Sequence, residues 1–475
     1  MTTTMTSTKS ATKTTMTKTI TLNENKQRRR QISRTTKKSN NNRQQRRRKV
    51  YSTSSVAMNS NKNDANSTID DDEDGSVMIS KREILLKSSI GGFISSSLFF
   101  NAREVQADVD EDDERTPINT RTDEREQKMS IMPDMMRDKR TVLITGSNSG
   151  IGFAAAKKFA KTNEFKVILA CRTLDKAKKA KNEIIKAIED EEGGFVKDKS
   201  LLVEAECDLG DLTSIKTFAE SLGDEPIDLL CLNAGVQFAG SKEVNRTKDG
   251  FEQSMGVDHL GHFLLTNLLL PNVESAAKSS TKKPRIVITA SEVHDPESPG
   301  GKVGRGAGLG NFEGIKDAGV DFDLMDGSEF DADKAYKDSK LANILFANEL
   351  NRRLRLADSQ INVVSFGPGL ITRGSNFFQH TNPLFVKVFD FAANDLFHVA
   401  ETVDGGGNCL LFMALSPDLE NKSGIYYNND LGGETGHTFH ETLSSKESRN
   451  LDEARELWTW SEALVNQEFG VYRAL

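Results

Sequence analysis

From about residue 138 to the C-terminus, short apolar runs alternate with segments of helical periodicity. The runs are rich in Val, Ile and Leu and end at turn residues, as buried parallel strands do. They lie at 142–144, 166–170, 202–209, 227–232 and 285–290. Helical patterns follow the first two runs, at 153–160 and 174–188. This alternation predicts an α/β fold with a doubly wound parallel sheet in a single domain.

The first 107 residues lack this alternation. Residues 1–60 are dominated by Thr, Ser, Asn, Lys and Arg, with Glu24 as their one acid. Such a composition buries too little apolar surface to offset the entropy of ordering, so we expect a disordered extension. Basic runs at 28–30 and 46–49 stand among hydroxyl residues. That pattern is typical of an organelle transit peptide or, alternatively, of a nucleic-acid-binding arm.

A second sorting feature follows in the N-terminal region. Lys81 and Arg82 precede a mildly apolar stretch at 84–100, and a small-residue cleavage pattern follows at 105–107. This order resembles a bipartite plastid presequence; the alternative is a short amphipathic or linker segment. The stretch is too short and too polar to predict a membrane span, which needs about 20 apolar residues.

These features divide the chain into a targeting presequence at 1–107, a polar linker at 108–138 and one folded domain at 139–475. A plastid presequence predicts a location in the chloroplast, in the stroma or at the thylakoid surface; the mitochondrion is the less favoured alternative. The formal net charge is -7 despite the basic head, so we expect no nucleic-acid partner for the domain. The four cysteines show no Cys-x-x-Cys spacing. We therefore expect reduced, mostly buried thiols and no metal site.

The first apolar run leads directly into a glycine-rich turn and a helix. Gly146 suits a tight turn, Gly150 lets backbone amides approach a pyrophosphate, and Gly152 allows close helix packing. The helix N-terminus then favours the phosphate charge. This context predicts a Rossmann-type dinucleotide site formed by Gly146, Ser149, Gly150, Ile151 and Gly152.

The ends of the following strands bear on the choice of cofactor. Arg172 follows the strand at 166–170, where an acid would hold the ribose 2′-hydroxyl of NAD. A cation there suits a 2′-phosphate, so NADPH is predicted; the alternative is a solvent-exposed arginine opening the next helix. Asp208 is expected to face the adenine, and Asn233 and Gly235 follow the fourth strand.

Several motifs occur together in a fixed order: Thr145-Gly-x-x-x-Gly-Ile-Gly152, Asn233-Ala-Gly235, Ser291, Tyr336-Lys-Asp-Ser-Lys340 and Pro368-Gly369. Through them the chain resembles the short-chain dehydrogenase/reductase family over roughly 140–430. The resemblance implies that Lys340 also holds the nicotinamide ribose and that Asn233 lies beside the cofactor.

The Tyr-x-x-x-Lys spacing indicates a proton donor. A lysine ammonium one helical turn away favours the phenolate and lowers the pKa of a tyrosine from its free value of about 10. We therefore predict that Tyr336 is the acid and that Lys340 tunes it. Ser291 ends the strand at 285–290, where it can bond the substrate oxygen or the tyrosine hydroxyl. Asp258 stands where the family usually has an asparagine that supports a water in the proton relay, and it either keeps that role as an acceptor or weakens it.

Within the family, the chain most resembles the light-dependent protochlorophyllide reductases. The likeness rests on 334–340, 259–265 and a long insertion between Ser291 and Tyr336 that contains a glycine-rich segment at 308–314. An insertion of this kind suits a lid over a large flat substrate. The resemblance implies hydride transfer from NADPH to a tetrapyrrole, with Tyr336 protonating the neighbouring carbon and light driving the step.

Other interpretations remain open. Ala342 stands where the pigment reductases have cysteine, and Gln237 where they tend to have tyrosine. One alternative is a plastid carbonyl reductase of the retinol-dehydrogenase-like type, acting with NADPH on a lipophilic ketone or aldehyde; another is a non-catalytic NADPH-sensing protein. The apolar segment at 377–397 is expected to form a substrate wall, a membrane-surface contact or an ordinary amphipathic helix pair. Oligomerisation is compatible with all of these.

Overall fold

The computed structural model describes residues 139–373, 386–387, 390–391, 393, 400–432, 436–467 and 469. All of them belong to one compact unit. The predictions for the presequence, for the linker and for most of 377–397 lie outside these residues. Among the described helices, none is both long enough and apolar enough to span a bilayer.

The sheet is built from eight strands, which are, in chain order, β1 (Arg140–Thr145), β2 (Phe165–Cys171), β3 (Leu202–Glu206), β4 (Leu229–Leu232), β5 (Arg285–Thr289), β6 (Asn362–Gly367), β7 (Ile425–Gly432) and β8 (Gly436–Thr442). Their order across the sheet is β3-β2-β1-β4-β5-β6-β7-β8. All neighbouring pairs are parallel except β7 and β8. The strand order reverses between β1 and β4: β2 and β3 lie to one side of β1, and β4 to β8 lie to the other. Doubly wound sheets bind ligands at the carboxyl edge beside such a point.

Helices cover both faces of the sheet; they are α1 (Gly150–Thr162), α2 (Leu174–Glu189), α3 (Leu212–Ser221), a π-helix (Met255–Gly261), α4 (His262–Ser279), α5 (Glu313–Ala318), α6 (Ala332–Leu356), α7 (Val403–Leu415) and α8 (Leu451–Leu464). α1, α2 and α7 pack into one apolar core, and α3, α4, α6 and α8 pack into a second. Along β1, Val142 and Ile144 face the first core and Leu143 faces the second. Strand alternation thus separates the two cores.

The prediction of a doubly wound α/β fold is confirmed, and the four cysteines are free and buried as expected. The strand predicted to reach Leu209 ends earlier, at Glu206. Its continuation turns because Asp208 Oδ1 accepts a hydrogen bond from Gly210 N at 2.9 Å and Asp208 N donates to Ser214 Oγ at 3.0 Å. Within the described residues, no group of three or more His, Cys, Asp or Glu side chains is arranged to hold a metal ion.

Candidate active site

The glycine turn after β1 packs tightly against the segment that follows β4. Gly146 has a φ of +68°, and a Cβ on it would lie 3.0 Å from the Cα of Ala234. A Cβ on Gly152 would lie 2.5 Å from the carbonyl oxygen of Gly146 and 2.6 Å from Nδ2 of Asn233. Side chains at these two positions would therefore push the two segments apart.

The turn presents an open helix N-terminus. α1 begins at Gly150, and the side chain of Ser149, at the N-cap, makes no capping hydrogen bond. The first turn of α1 carries no acidic residue that could take that place. Amide groups left without a side-chain cap at a helix N-terminus suit a phosphate, so Ser149, Gly150 and Ile151 fit the pyrophosphate of a nicotinamide dinucleotide.

Thr145 holds Asn233 in place at this crevice. Its Oγ1 accepts hydrogen bonds from the backbone N of Asn233 at 2.9 Å and of Ala234 at 3.0 Å, while Asn233 Nδ2 donates to the carbonyl of Thr145 at 3.1 Å. His262 Nε2 lies 2.9 Å from the same Oγ1, and its Nδ1 lies 2.9 Å from the carbonyl oxygen of Asp258. Because a carbonyl only accepts, Nδ1 carries the hydrogen and Nε2 accepts from the threonine hydroxyl.

His262 therefore connects the cofactor turn to the helix that carries Asp258, a role that the sequence did not reveal. Its ring is buried, and burial lowers the pKa of His262 to about 4. The imidazole is accordingly neutral at physiological pH. The signal in the sequence is a polar residue among the apolar positions of 259–265. The sequence analysis used that segment only for the family resemblance.

Two of the predicted cofactor residues lie at the ends of neighbouring strands. Arg172 follows β2 and is exposed, and Asp208 lies beyond the end of β3, whose Glu206 pairs with Cys171 of β2. Gly235 lies at the other side of the crevice. A Cβ on Gly235 would lie 3.1 Å from Lys340 Nζ, so its backbone passes directly against that ammonium group.

The structure brings Ser291, Tyr336 and Lys340 together. Ser291 follows β5, and its hydroxyl hydrogen-bonds with the side chain of Tyr336. Tyr336 and Lys340 lie one turn apart on α6, with Lys340 Nζ 5.2 Å from the centre of the tyrosine ring. All three meet at the carboxyl edge of the sheet, beside the cofactor crevice.

Asp258 also belongs to this cluster, and it changes the electrostatics. Its Oδ2 lies 3.0 Å from Lys340 Nζ, its Oδ1 accepts from Val236 N at 2.8 Å, and Ser339 Oγ lies 3.3 Å away. Burial raises the pKa of Tyr336, the charge of Asp258 raises it further, and the bond with Ser291 opposes both. The expected lowering of the Tyr336 pKa by Lys340 is not seen in this structure, because burial raises that pKa and the ammonium group of Lys340 is paired with Asp258.

The residues around Tyr336 on α6 anchor the insertion that precedes it. Lys337 Nζ donates to the carbonyl groups of Gly301 at 3.1 Å, Arg305 at 3.0 Å and Val303. We call this set of contacts the Lys337 clamp. A second anchor lies beside it: Asp338 Oδ1 accepts from the backbone N of Gly308 at 2.9 Å, and Lys334 Nζ donates to the Gly308 carbonyl at 2.6 Å.

The insertion also contributes to the apolar core. Leu309, Phe312 and Phe322 are almost completely buried in the core that contains α6 and α8. Clamped and packed in this way, the insertion is anchored to α6 and to the core, and the prediction that it covers a large substrate stays a prediction.

The chain is similar to known proteins of one family. The family model for the short chain dehydrogenase matches residues 140–303. The chloroplastic protochlorophyllide reductase of Cucumis sativus is 34% identical over 331 residues, which cover 69% of this chain and 78% of the relative. The corresponding enzymes of Daucus carota (35% over 332 residues) and Chlamydomonas reinhardtii (34% over 333 residues) cover the same shares. The chain belongs to the short-chain dehydrogenase/reductase family of NAD(P)-dependent oxidoreductases, and within it to the relatives of the protochlorophyllide reductases.

Proposed function

We propose that this protein is an NADPH-dependent reductase that converts protochlorophyllide to chlorophyllide in light, inside a plastid. The observation that carries the proposal is the similarity to reductases of that name over 69% of the chain, together with the gathered Ser291, Tyr336 and Lys340. The chloroplastic designation of these relatives and the plastid-like pattern of residues 1–107 support the location.

Each catalytic side chain has a role that follows from its contacts. Bound NADPH supplies the hydride. Tyr336 donates a proton to the carbon next to the one that receives the hydride. Its raised pKa keeps the proton on the phenol at neutral pH. Ser291 orients the phenol by hydrogen bonding, and Asp258 holds the ammonium group of Lys340 over the tyrosine ring, 5.2 Å from its centre.

The choice of NADPH over NADH rests on Arg172. Its side chain is exposed after β2 and forms no hydrogen bond or ion pair with any described residue. Five N–H donors therefore remain available for a ribose 2′-phosphate, which a guanidinium binds in a bidentate manner.

A light-dependent assay tests the proposal. The purified chain with NADPH and protochlorophyllide should form chlorophyllide under illumination and none in the dark. Tyr336→Phe should abolish the conversion while NADPH affinity changes little, since the phenol acts on the proton and not on cofactor binding. Dark reduction of a ketone, with no pigment conversion in light, would replace the proposal with the carbonyl reductase.

One observation favours that carbonyl reductase as the second candidate. Ala342, which stands in place of the cysteine of the pigment reductases, is completely buried in the core. Because the residue is alanine, this position carries no thiol. A ketone could equally be reduced with the help of Ser291, Tyr336 and Lys340. A non-catalytic NADPH sensor would show equal NADPH binding and no turnover for both the wild type and Tyr336→Phe.

A further inference from the structure

His294 joins Ser291 to the C-terminal part of the domain. It ends the short 3₁₀ turn Glu292–His294, which begins directly after Ser291. Its imidazole Nδ1 lies 2.7 Å from the carbonyl oxygen of Ser291, and its Nε2 lies 3.0 Å from the backbone N of Ser445. The residue is only 2% exposed. The roles derived above for the catalytic side chains do not use this link.

Both ends of the imidazole ring require the same tautomer. A carbonyl oxygen only accepts hydrogen bonds, so Nδ1 carries the hydrogen and donates it to Ser291. A backbone N–H only donates, so Nε2 is the acceptor for Ser445. The ring also packs edge-on against Tyr426 of β7, with the two ring centres 5.1 Å apart. His294 is therefore held in one orientation, with its donor directed at Ser291.

This donor acts on the backbone that aims the serine hydroxyl. Ala290 N donates to the carbonyl of Phe366 at 2.7 Å, so pairing with β6 reaches the residue before Ser291. On the other side, the carbonyl of Ser291 accepts from both the backbone N of His294, at 3.2 Å, and its Nδ1. The direction of a Cα–Cβ bond follows from the backbone on either side of it. These contacts therefore direct the Ser291 hydroxyl at the side chain of Tyr336, with which it hydrogen-bonds.

The far end of the ring rests on a segment that is itself anchored. Ser445 lies in the segment 444–449, between β8 and α8. Its hydroxyl oxygen accepts from the backbone N of Ser448 at 3.2 Å, and Asn348 Nδ2 donates to the carbonyl of Ser448 at 2.8 Å. Asn348 belongs to α6, the helix that carries the proton donor. The imidazole thus braces Ser291 against a part of the chain that is fixed to α6.

We propose that His294 is a positioning residue, which holds the carbonyl of Ser291 and thereby keeps the serine hydroxyl aligned with the phenol of Tyr336. It acts through Ser291 and not on the reacting atoms. The inference rests on the proposed reductase function, in which Ser291 and Tyr336 work together. A role in folding alone would give the bond to Ser445 the same importance as the bond to Ser291.

Two amide substitutions separate the two ends of the imidazole. His294→Asn keeps an N–H donor at the place of Nδ1 and loses the acceptor that reaches Ser445. His294→Gln extends as far as Nε2 and keeps that acceptor, but it has no donor beside the carbonyl of Ser291. His440→Gln is the matched control, because the imidazole of His440 lies on β8 with 46% of its side chain exposed.

We expect His294→Gln to lower kcat for pigment conversion in saturating light by about 10- to 100-fold, because a small misplacement of a catalytic group costs up to about a hundredfold. His294→Asn should keep kcat within about threefold of the wild type. NADPH affinity should change by less than about threefold in both. Each variant loses one buried hydrogen bond, so both thermal unfolding midpoints should fall by a similar few degrees. His440→Gln should match the wild type throughout.

Crystal structures of the two variants measure the alignment without any substrate. The hydroxyl of Ser291 should stay within hydrogen-bonding distance of the phenol oxygen of Tyr336 in His294→Asn. It should move out of that distance in His294→Gln, where the carbonyl of Ser291 has lost the side-chain donor.

Equal kcat values in His294→Asn and His294→Gln would overturn the inference, because a purely structural role affects both variants alike. So would a crystal structure of His294→Gln that retains the bond between Ser291 and Tyr336. A wild type that converts no pigment in light contradicts the proposed reaction alone. The crystal structures then still decide the role of His294, and kcat is compared for the dark reduction of a ketone.

Discussion

Lys340 and Asp258 form a buried ion pair, with Nζ 3.0 Å from Oδ2, directly against the backbone of Gly235. The pair removes from Tyr336 the electrostatic support that a free ammonium group would give to its phenolate. Removing one partner of such a pair leaves a buried charge, whereas an isosteric amide keeps most hydrogen bonds. Replacing the carboxylate of Asp258 by an amide is therefore expected to change the pKa of Tyr336 while keeping the shape of the side chain.

Asp258→Asn should lower the pKa of Tyr336. The phenol must be protonated to act as the acid, so kcat declines as pH rises through its pKa. Without the carboxylate charge, this basic limb should move to lower pH by about one unit or more. The pH profile of kcat measures the shift. Asp317→Asn, at an exposed position of α5, should leave the limb in place; an equal limb in both variants would contradict the electrostatic role of Asp258.

Arg172→Ala should discriminate between the two nicotinamide cofactors. Losing a charged hydrogen bond to the 2′-phosphate costs about 1.5 to 3 kcal/mol, so NADPH affinity should fall roughly 10- to 100-fold. NADH affinity should change by less than about threefold, because NADH has no phosphate at that position. Fluorescence titration with both cofactors gives the comparison. Lys178→Ala, also exposed on α2, serves as control, and a loss that is equal for NADH would rule out the phosphate contact.

Lys337→Met should release the insertion from α6. The ammonium group of Lys337 satisfies three backbone carbonyls in the clamp, and the variant leaves them without a donor. We expect the free energy of unfolding to fall by at least about 2 kcal/mol. Backbone amides of 301–308 should exchange hydrogen faster. Urea unfolding and mass-resolved exchange measure both, and Lys302→Met, in the exposed part of the insertion, should match the wild type in each.

Acidification should destabilise the fold through its buried histidines. Burial lowers the pKa of His262 to about 4 and that of His259 to about 3, from 6.5. The unfolded chain therefore binds more protons than the folded one below about pH 6.5. Stability is complete above that pH and is lost as pH falls, by up to about 1.4 kcal/mol per pH unit for each histidine.

His262→Gln tests the histidine contribution through the slope rather than the level of stability. Urea unfolding at pH 7, 6 and 5 should show a shallower decline in the variant, because one titrating group has been removed. His440→Gln is the control, because the imidazole of His440 is exposed rather than buried, with 46% of the side chain accessible to solvent. A variant slope equal to that of the wild type would show that His262 is not neutral in the folded state.

The sequence predicted the features that local rules determine. The turn at Gly146 and Gly152 needs glycine at a fixed spacing. The continuous apolar runs indicate strands that are buried on both faces of a parallel sheet. Tyr336 and Lys340 were recognisable for the same reason, because residues four positions apart on a helix lie on one face.

Contacts between distant parts of the chain could not be read in this way. Asp258 meets Lys340 across a long interval, and only the packing of α6 beside the π-helix brings them together. His262 bonds Thr145 for the same kind of reason. The Lys337 clamp was hidden because a lysine beside a catalytic tyrosine is expected to be solvated, whereas here backbone carbonyls of the insertion replace the water.

The π-helix at Met255–Gly261 adds a requirement of chain length to the site. A π turn is equivalent to one residue inserted into an α-helix, and each helical residue rotates the next side chain by about 100°. Deleting a single residue just before Asp258 would therefore turn its carboxylate more than a quarter of a turn away from Lys340. Among related chains, an aspartate at the aligned position predicts this ion pair only when the extra residue accompanies it.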